Sequence, residues 1–404
     1  VIWLHCVSVG EMEAARPLVD ALRERFPSYR VAISTTTVTG QQVARRAFAQ
    51  EAALIFYFPI DWSWTVRRAL NAVNPAAILL METELWPNLL REAARRSIPV
   101  ALVNGRISPK SFRRYQKIRG FMQRVLANVT LALMQSDQDA ERICKLGLPP
   151  ERSEVVGNMK FDSAKLPPIE DTVTSNLRTR FAFNGTQPII VAASTHAPEE
   201  EIILNAFKRV RQSPAGKTAR LVIAPRHPER FDAVTELVAA SGFQWSRRTA
   251  AASDLDAASV IVILDSIGEL RATHQVAQIA FMGGSFIPHG GQNMLEPAAQ
   301  GVCVITGPYT HNFAAIMAAL LAEEAVIQLP EMPRSEAPGP LAHWFIELLR
   351  DEERRKSIGI RAQNVCVRNR GATRRTVEAI AAWLESRPTI EHSASLPAVI
   401  TAAK

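Results

Sequence analysis

The chain has 404 residues, 47% hydrophobic, 7% aromatic and 21% charged, with a mean hydropathy of essentially zero. This composition excludes a disordered chain, and it excludes a polytopic membrane protein, which needs several apolar runs of about 20 residues. The formal charge of +8 is unevenly placed, with 22 Lys/Arg against 14 Asp/Glu in residues 1–160 and 25 of each in the rest, so the N-terminal part is the expected face for an anionic partner.

In chain order, Val1–Val9 reads as a strand. It opens inside an apolar run, which implies that an upstream segment precedes it and leaves a membrane anchor in the full protein open. Met12, Ala15, Leu18, Val19, Leu22 and Phe26 recur at helical spacing. Strands are expected at Val31–Ser34, Ala53–Phe58, Ile78–Met81, Val100–Val103 and Val129–Met134, with helical stretches between them. The alternation breaks over 161–187, which carries Pro167-Pro168 and is read as a linker. It resumes with strands at Ile189–Ala193, Leu221–Ala224, Val260–Leu264, Ile279–Met282 and Val302–Ile305. Strand–helix alternation of this kind predicts an α/β protein with parallel sheets. The expected layout is a domain over 1–160, the linker, a second domain over 188–386 with a last helix that either stays with it or returns to the first, and a polar tail over 387–404. Ligands bind beyond the C-terminal strand ends of such sheets, so two of them facing one another would line a central cleft.

The four cysteines (Cys6, Cys144, Cys303, Cys366) are far apart. They suggest reduced, buried thiols of a cytosolic protein and neither a disulfide framework nor a zinc site. Asp254-Leu255-Asp256 has metal-binding spacing but sits among Ala and Ser, and is read as a solvated loop. His5 and His196 lack ligand spacing and are read as ordinary polar positions. No metal is expected. No G-x-G-x-x-G follows the first strand and no P-loop occurs, which disfavours a dinucleotide oxidoreductase.

Several strand ends carry chemistry. Ser8-Val9-Gly10-Glu11 places Glu11 at a helix start, where it either complements the helix dipole or acts as a general base. Glu82-Thr83-Glu84-Leu85-Trp86-Pro87-Asn88 puts two carboxylates at the next such position, where environment can split their roles; a plain helix start is the alternative. Arg106 ends the following strand and could meet an anion. Lys110, Arg113, Arg114, Lys117, Arg119 and Arg124 lie in a stretch with no acid, interleaved with Phe112, Tyr115 and Phe121. That stretch is either a solvated face or a surface for phosphorylated lipid. No nucleic-acid motif accompanies it, and no nucleic acid is expected. In the second half, Pro225-Arg226-His227-Pro228, Ser266-Ile267-Gly268-Glu269 and the glycine-rich stretch Gly283–Ala298 follow three strands, a pattern that suits a nucleotide phosphate. Glu296 would hold ribose hydroxyls.

These motifs, with Gly157-Asn158-Met159-Lys160-Phe161-Asp162, resemble in order those of the 3-deoxy-D-manno-octulosonic acid (Kdo) transferases of lipopolysaccharide synthesis. The resemblance implies a GT-B fold of two Rossmann-like domains, CMP-Kdo as donor substrate, a lipid A precursor (lipid IVA) as acceptor, inversion at the anomeric carbon and no cofactor. It implies work at the cytoplasmic face of the bacterial inner membrane, peripherally or through an N-terminal segment absent from this chain. It also implies Glu11 as general base, Glu82 and Lys160 as transition-state stabilisers, and a CMP site on Arg226, His227, Ile267, Gly268, Glu269, Asn293, Met294, Leu295 and Glu296. Lys160 comes from the resemblance alone.

Overall fold

A computed structural model describes residues 1–163 and 172–385. Pro167-Pro168 and the expected tail over 387–404 lie outside the described residues. The chain divides into two units, Val1–Ser163 with Gly371–Lys404, and Ala164–Arg370.

The first unit is built on strands β1 (Ile2–His5), β2 (Val31–Thr35), β3 (Ala52–Tyr57), β4 (Ala77–Met81), β5 (Val100–Gly105), β6 (Leu131–Met134) and β7 (Ser153–Val155). They form one parallel sheet in the order β3-β2-β1-β4-β5-β6-β7. The central strands are continuous apolar runs, as a sheet covered on both faces requires. Helices Val9–Arg25 and Val38–Phe48 seal one face through Leu18, Val19, Leu22 and Phe48, and helices Ser63–Val73 and Pro87–Arg95 seal the other through Val66, Leu70, Leu89 and Leu90. The strand order reverses between β1 and β4, and ligands favour the crevice at such a switch point.

The second unit repeats the plan. Its strands β8 (Ile189–Thr195), β9 (Arg220–Pro225), β10 (Trp245–Arg247), β11 (Ile261–Ile263), β12 (Ile279–Met282), β13 (Cys303–Thr306) and β14 (Ile327–Gln328) are all parallel, in the order β10-β11-β9-β8-β12-β13-β14. Here the switch point falls between β8 and β12. Ile190, Ala192, Ile223 and Phe281 pack there against Ile203 and Phe207 of the helix Glu199–Gln212 and against Leu341 and Phe345 of the helix Pro338–Arg350.

Some boundaries differ from those read in the sequence. The first strand ends at His5, because Ser8 caps the helix that begins at Val9. The second unit ends at Arg370, short of 386, and the last helix returns to the first unit, the alternative left open above: Ala372–Glu385 buries Val377, Ile380 and Ala381 in the same core as Val19 and Leu22. Asp162 fastens its start, accepting from Gly371 N and Thr373 N at 2.6 Å each. Much of the expected linker is likewise built into the units. Lys160–Ser163 is a helical turn of the first, and the helix Thr172–Phe181 packs on the second through Thr174, which donates to the Ala272 carbonyl at 3.2 Å. Asp254 and Leu255 are exposed, as expected of a solvated loop, but Asp256 is buried and ion-paired with Arg180 at 2.7 Å. Among the described residues no helix is long and apolar enough to cross a membrane.

Candidate functional site

The C-terminal ends of β1 and β4, at the switch point of the first sheet, carry three carboxylates. Glu11 sits in the first turn of the helix Val9–Arg25. Ser8 caps the helix: its Oγ accepts from Glu11 N at 3.2 Å and donates to Glu11 Oε1 at 2.8 Å, while Val7 N donates to Oε2 at 2.8 Å. The same bonds that finish the helix also fix the carboxylate in place. Glu11 is 7% exposed. Burial raises its pKa, the bonds from Val7 and Ser8 oppose the rise, and the charge of Glu82 adds to it. Glu84, raised by burial and then by Glu11 and Glu82, reaches about 7. The buried Cys6 thiol is held protonated by burial and by Glu11 and Glu82.

Glu82 ends β4 with a left-handed φ of 52°, a conformation disfavoured for a side chain with a Cβ and characteristic of functional positions. Its carboxylate is clamped, Oε2 by Arg106 Nε at 2.7 Å and Oε1 by Lys160 Nζ at 3.4 Å. Arg106 thus meets an anion, as expected, but that anion is Glu82. Lys160 reaches the site because Asn104, at the end of β5, accepts from Met159 N at 3.0 Å and docks the Gly157–Asp162 segment. Asn104 is also left-handed, with φ 54°. No spacing in the sequence marked Lys160, which is brought in by a backbone bond to a side chain 55 residues earlier. His5, below this site, is a neutral core residue: burial lowers its pKa to about 4, and its ring packs on Phe58 at 4.2 Å.

In the second unit the expected nucleotide motifs follow strands that are neighbours. Ile267-Gly268-Glu269 follow β11, Arg226-His227 follow β9, and Asn293–Glu296 lie on the loop after β12, with the end of β8 between the last two. Arg226 and His227 are exposed, and Ile267 is 83% exposed. Gly268 has φ 92° and open space around it. Glu269 is occupied by a two-point ion pair with Arg248 at 2.8 and 2.9 Å. The helices that follow, Leu270–His274 and Leu295–Ala299, are single turns, so little helix dipole is available to an anion. Met294 and Leu295 are fully buried, which leaves only their backbone for contact. Asn293 accepts from Leu295 N at 3.2 Å and donates to Glu296 at 3.1 Å.

The glycine-rich loop departs from expectation. The backbone N–H groups of Gly284, Ser285 and Phe286, suited to a phosphate, instead bind the wholly buried carboxylate of Glu199 at 2.7, 3.0 and 2.9 Å, and His196 N adds a fourth bond at 3.0 Å. His196, read in the sequence as an ordinary position, directly follows β8, between the expected nucleotide motifs. Its signal is visible only in three dimensions, where its ring lies 4.5 Å from that of His289 and 5.2 Å from that of His227. Among the described residues no group of three or more His, Cys, Asp or Glu has the geometry to hold a metal ion.

Residues 1–163 match the family described as 3-deoxy-D-manno-octulosonic-acid transferase (kdotransferase). The chain is 35% identical over 385 residues to the 3-deoxy-D-manno-octulosonic acid transferase of Haemophilus influenzae, covering 95% of this chain and 87% of that one. It is 34% identical over 394 residues to the protein of the same name from Bordetella pertussis, again covering 95% and 87%. The UDP-GlcNAc 2-epimerase from Neisseria meningitidis, solved with UDP-GlcNAc bound, matches in structure with a TM-score of 0.60 and 11% identity over 94% of this chain and 99% of that one. At that identity the likeness is one of fold, and the two parallel-sheet units are those of GT-B proteins.

Proposed function

Given that the chain belongs to the family of Kdo transferases and is a glycosyltransferase, we propose that it moves Kdo from CMP-Kdo to lipid IVA, with inversion, in lipopolysaccharide core biosynthesis. The observation that carries this reading is the carboxylate cluster at the first switch point, with Glu11 buried and fixed by two hydrogen bonds beside a Glu82 clamped by two cations.

Glu11 takes the proton of the acceptor hydroxyl as its oxygen attacks the anomeric carbon of Kdo. The bond from that carbon to the phosphate oxygen breaks, its electron pair leaves with CMP, and attack from the opposite face inverts the centre. Positive charge grows on the sugar ring and negative charge on the departing phosphate. Glu82 is a preorganised partner for the first, and Lys160 and Arg226 are partners for the second. Glu269 and Glu296, with the backbone at Ile267-Gly268 and Asn293–Leu295, are proposed to receive the nucleoside, and His227 to stand beside the CMP phosphate held by Arg226. No metal cofactor is expected, because a monophosphate leaving group is neutralised by lysine and arginine. The decisive assay combines the protein with freshly generated CMP-Kdo and a tetra-acyl lipid A precursor, with products resolved by mass. The expected product is the acceptor extended by Kdo; no product, or product from a UDP-sugar instead, would sink the reading.

The cytoplasmic face of the bacterial inner membrane is the proposed place of work. Lys110, Arg113, Arg114, Lys117, Arg119 and Arg124 are all exposed on the helices Pro109–Gln116 and Arg119–Leu126 and their junction, and none pairs with an acid among the described residues. Ile118 and Phe121 are exposed beside them, and Trp62 and Trp64, 57% and 61% exposed, add interfacial aromatics to the same unit. Each Lys/Arg near an anionic bilayer contributes about 1 kcal/mol. Reversing Arg113, Arg114 and Lys117 to Glu should therefore weaken binding to anionic vesicles by at least about 100-fold at low salt, and the wild-type affinity should fall as salt rises. Unchanged sedimentation with vesicles would reduce the stretch to a solvated face.

A further inference from the structure

We infer that His196, His289 and Gln292, with His227 at their edge, form the subsite that receives the carboxylate of the donor sugar. This rests on the proposed function, since Kdo is a sugar acid whose anomeric carbon bears a carboxylate next to the bond that breaks. The donor then carries two anionic groups close together, the phosphate and the carboxylate, and each needs its own partners.

Position supports the assignment first. His196 follows β8 and the loop Gly283–Gln292 follows β12, and these two strands flank the switch point of the second sheet, where open α/β sheets hold their ligands. The Arg226-His227 pair follows the adjoining strand β9, so a phosphate at Arg226 has the histidine group as its neighbour.

The geometry is that of a cup. His196 is the buried floor, and the exposed rings of His289 and His227 stand over it at 4.5 and 5.2 Å. Gln292 Nε2 donates to His196 Nε2 at 3.0 Å, which leaves the ring proton on Nδ1. The backbone is drawn tight to make this arrangement. Ser194 has a left-handed φ of 52°, and a Cβ on Gly283 would lie 2.3 Å from the Ser194 carbonyl oxygen. Gly284, at φ 66°, would bring a Cβ to 3.3 Å from both His289 and Gln292. Glu199 bonds His196 N and the loop together, so floor and wall share one anchor.

The chemistry asks for an anion. Two imidazoles lie against that of His196, and the charges of Arg226 and Arg230 reach it as well, so donors and cations are concentrated here. Glu199 is consumed by backbone N–H groups, Arg230 is paired with Glu200 at 2.6 Å, and Glu229 stands 3.8 Å from Nδ1 of His227. Burial first, and then the charges of His289, His227, Arg226 and Arg230, lower the His196 pKa to about 4. A carboxylate placed in the cup supplies the missing charge and accepts from imidazole and amide donors. A neutral sugar offers nothing equivalent, so the cup would select sugar acids.

The test compares three ligands on wild type, His196→Asn and His289→Ala: CMP-Kdo as donor, CMP as competitive inhibitor, and a CMP-linked donor analogue whose carboxylate is a carboxamide. His289 is exposed, so its variant has little reason to misfold. Loss of a charge-assisted hydrogen bond is expected to raise KM for CMP-Kdo about 10- to 100-fold, with the inhibition constant of CMP unchanged within about twofold. The wild-type preference for carboxylate over carboxamide should collapse in both variants. If CMP inhibition weakens in step with KM, the histidines hold phosphate and the assignment is overturned. A preference that survives both substitutions overturns it equally. Absence of any turnover of CMP-Kdo by the wild type would instead overturn the proposed function, on which the subsite depends.

Discussion

Glu11→Gln is expected to lower the rate of Kdo transfer by about 10²- to 10⁴-fold, the usual contribution of a general base, while CMP binds with its affinity intact. Glutamine keeps the size of the side chain and one acceptor oxygen, but it cannot take the acceptor's proton. The competing account is that Glu11 only finishes the helix. Its bonds with Ser8 and Val7 would then be its whole purpose, and a lost cap costs about 1 kcal/mol. Such a loss lowers the melting temperature by a few degrees and leaves turnover of the folded enzyme unchanged. The two roles therefore separate in one variant measured two ways.

The pH dependence adds a second discriminator. Burial and the charge of Glu82 raise the pKa of Glu11, and a base works only when deprotonated. Wild-type kcat should thus fall on the acid side at a pH above the ordinary glutamate range, and Glu11→Gln should lose that limb. Near-full turnover in the variant, with the limb still present, would assign the base to another group. Glu84, at about 7 and coupled to both Glu11 and Glu82, is then the first alternative.

What the sequence revealed of the candidate sites, one in each unit, follows a physical rule. Glu11, Glu82 and Arg226 were legible because each stands just past a buried apolar strand, and the doubly wound plan sends such positions to the ligand. Lys160 was not, because the contact that seats it runs from Met159 N to the Asn104 side chain, and nothing local marks it. The short edge strands β7, β10 and β14 were missed for a similar reason: two or three residues such as Trp245-Ser246-Arg247 carry no alternation to read. The return of the last helix, Ala372–Glu385, to the first unit was open in the sequence, because an apolar helix face does not say which core covers it. His196 was set aside for want of metal-ligand spacing, yet its neighbours His227 and His289 come from other strand ends, and only the sheet order brings them together.

The three consecutive glutamates after β8 show how far identical letters can diverge, and they carry the largest expected effect on stability. Glu199 fills a nest of four backbone N–H groups, Glu200 is buried against Arg230, and Glu201 pairs with Arg334 at the surface. Glu199→Ala would leave four buried donors without an acceptor. Each such group costs about 1–3 kcal/mol when left unmet, and water entering the vacated space recovers only part. A loss of at least about 3 kcal/mol is expected, which at roughly 2–4 °C per kcal/mol for a unit of this size lowers the melting temperature by about 6–12 °C. Glu201→Gln, one turn position away, should change stability by less than about 0.5 kcal/mol, as exposed substitutions usually do. If the two variants melt together, the carboxylate is not what holds the glycine loop. If they separate as expected, the backbone groups that a sequence reader would offer to a phosphate are committed to the protein itself, and the donor's anions must be met by side chains.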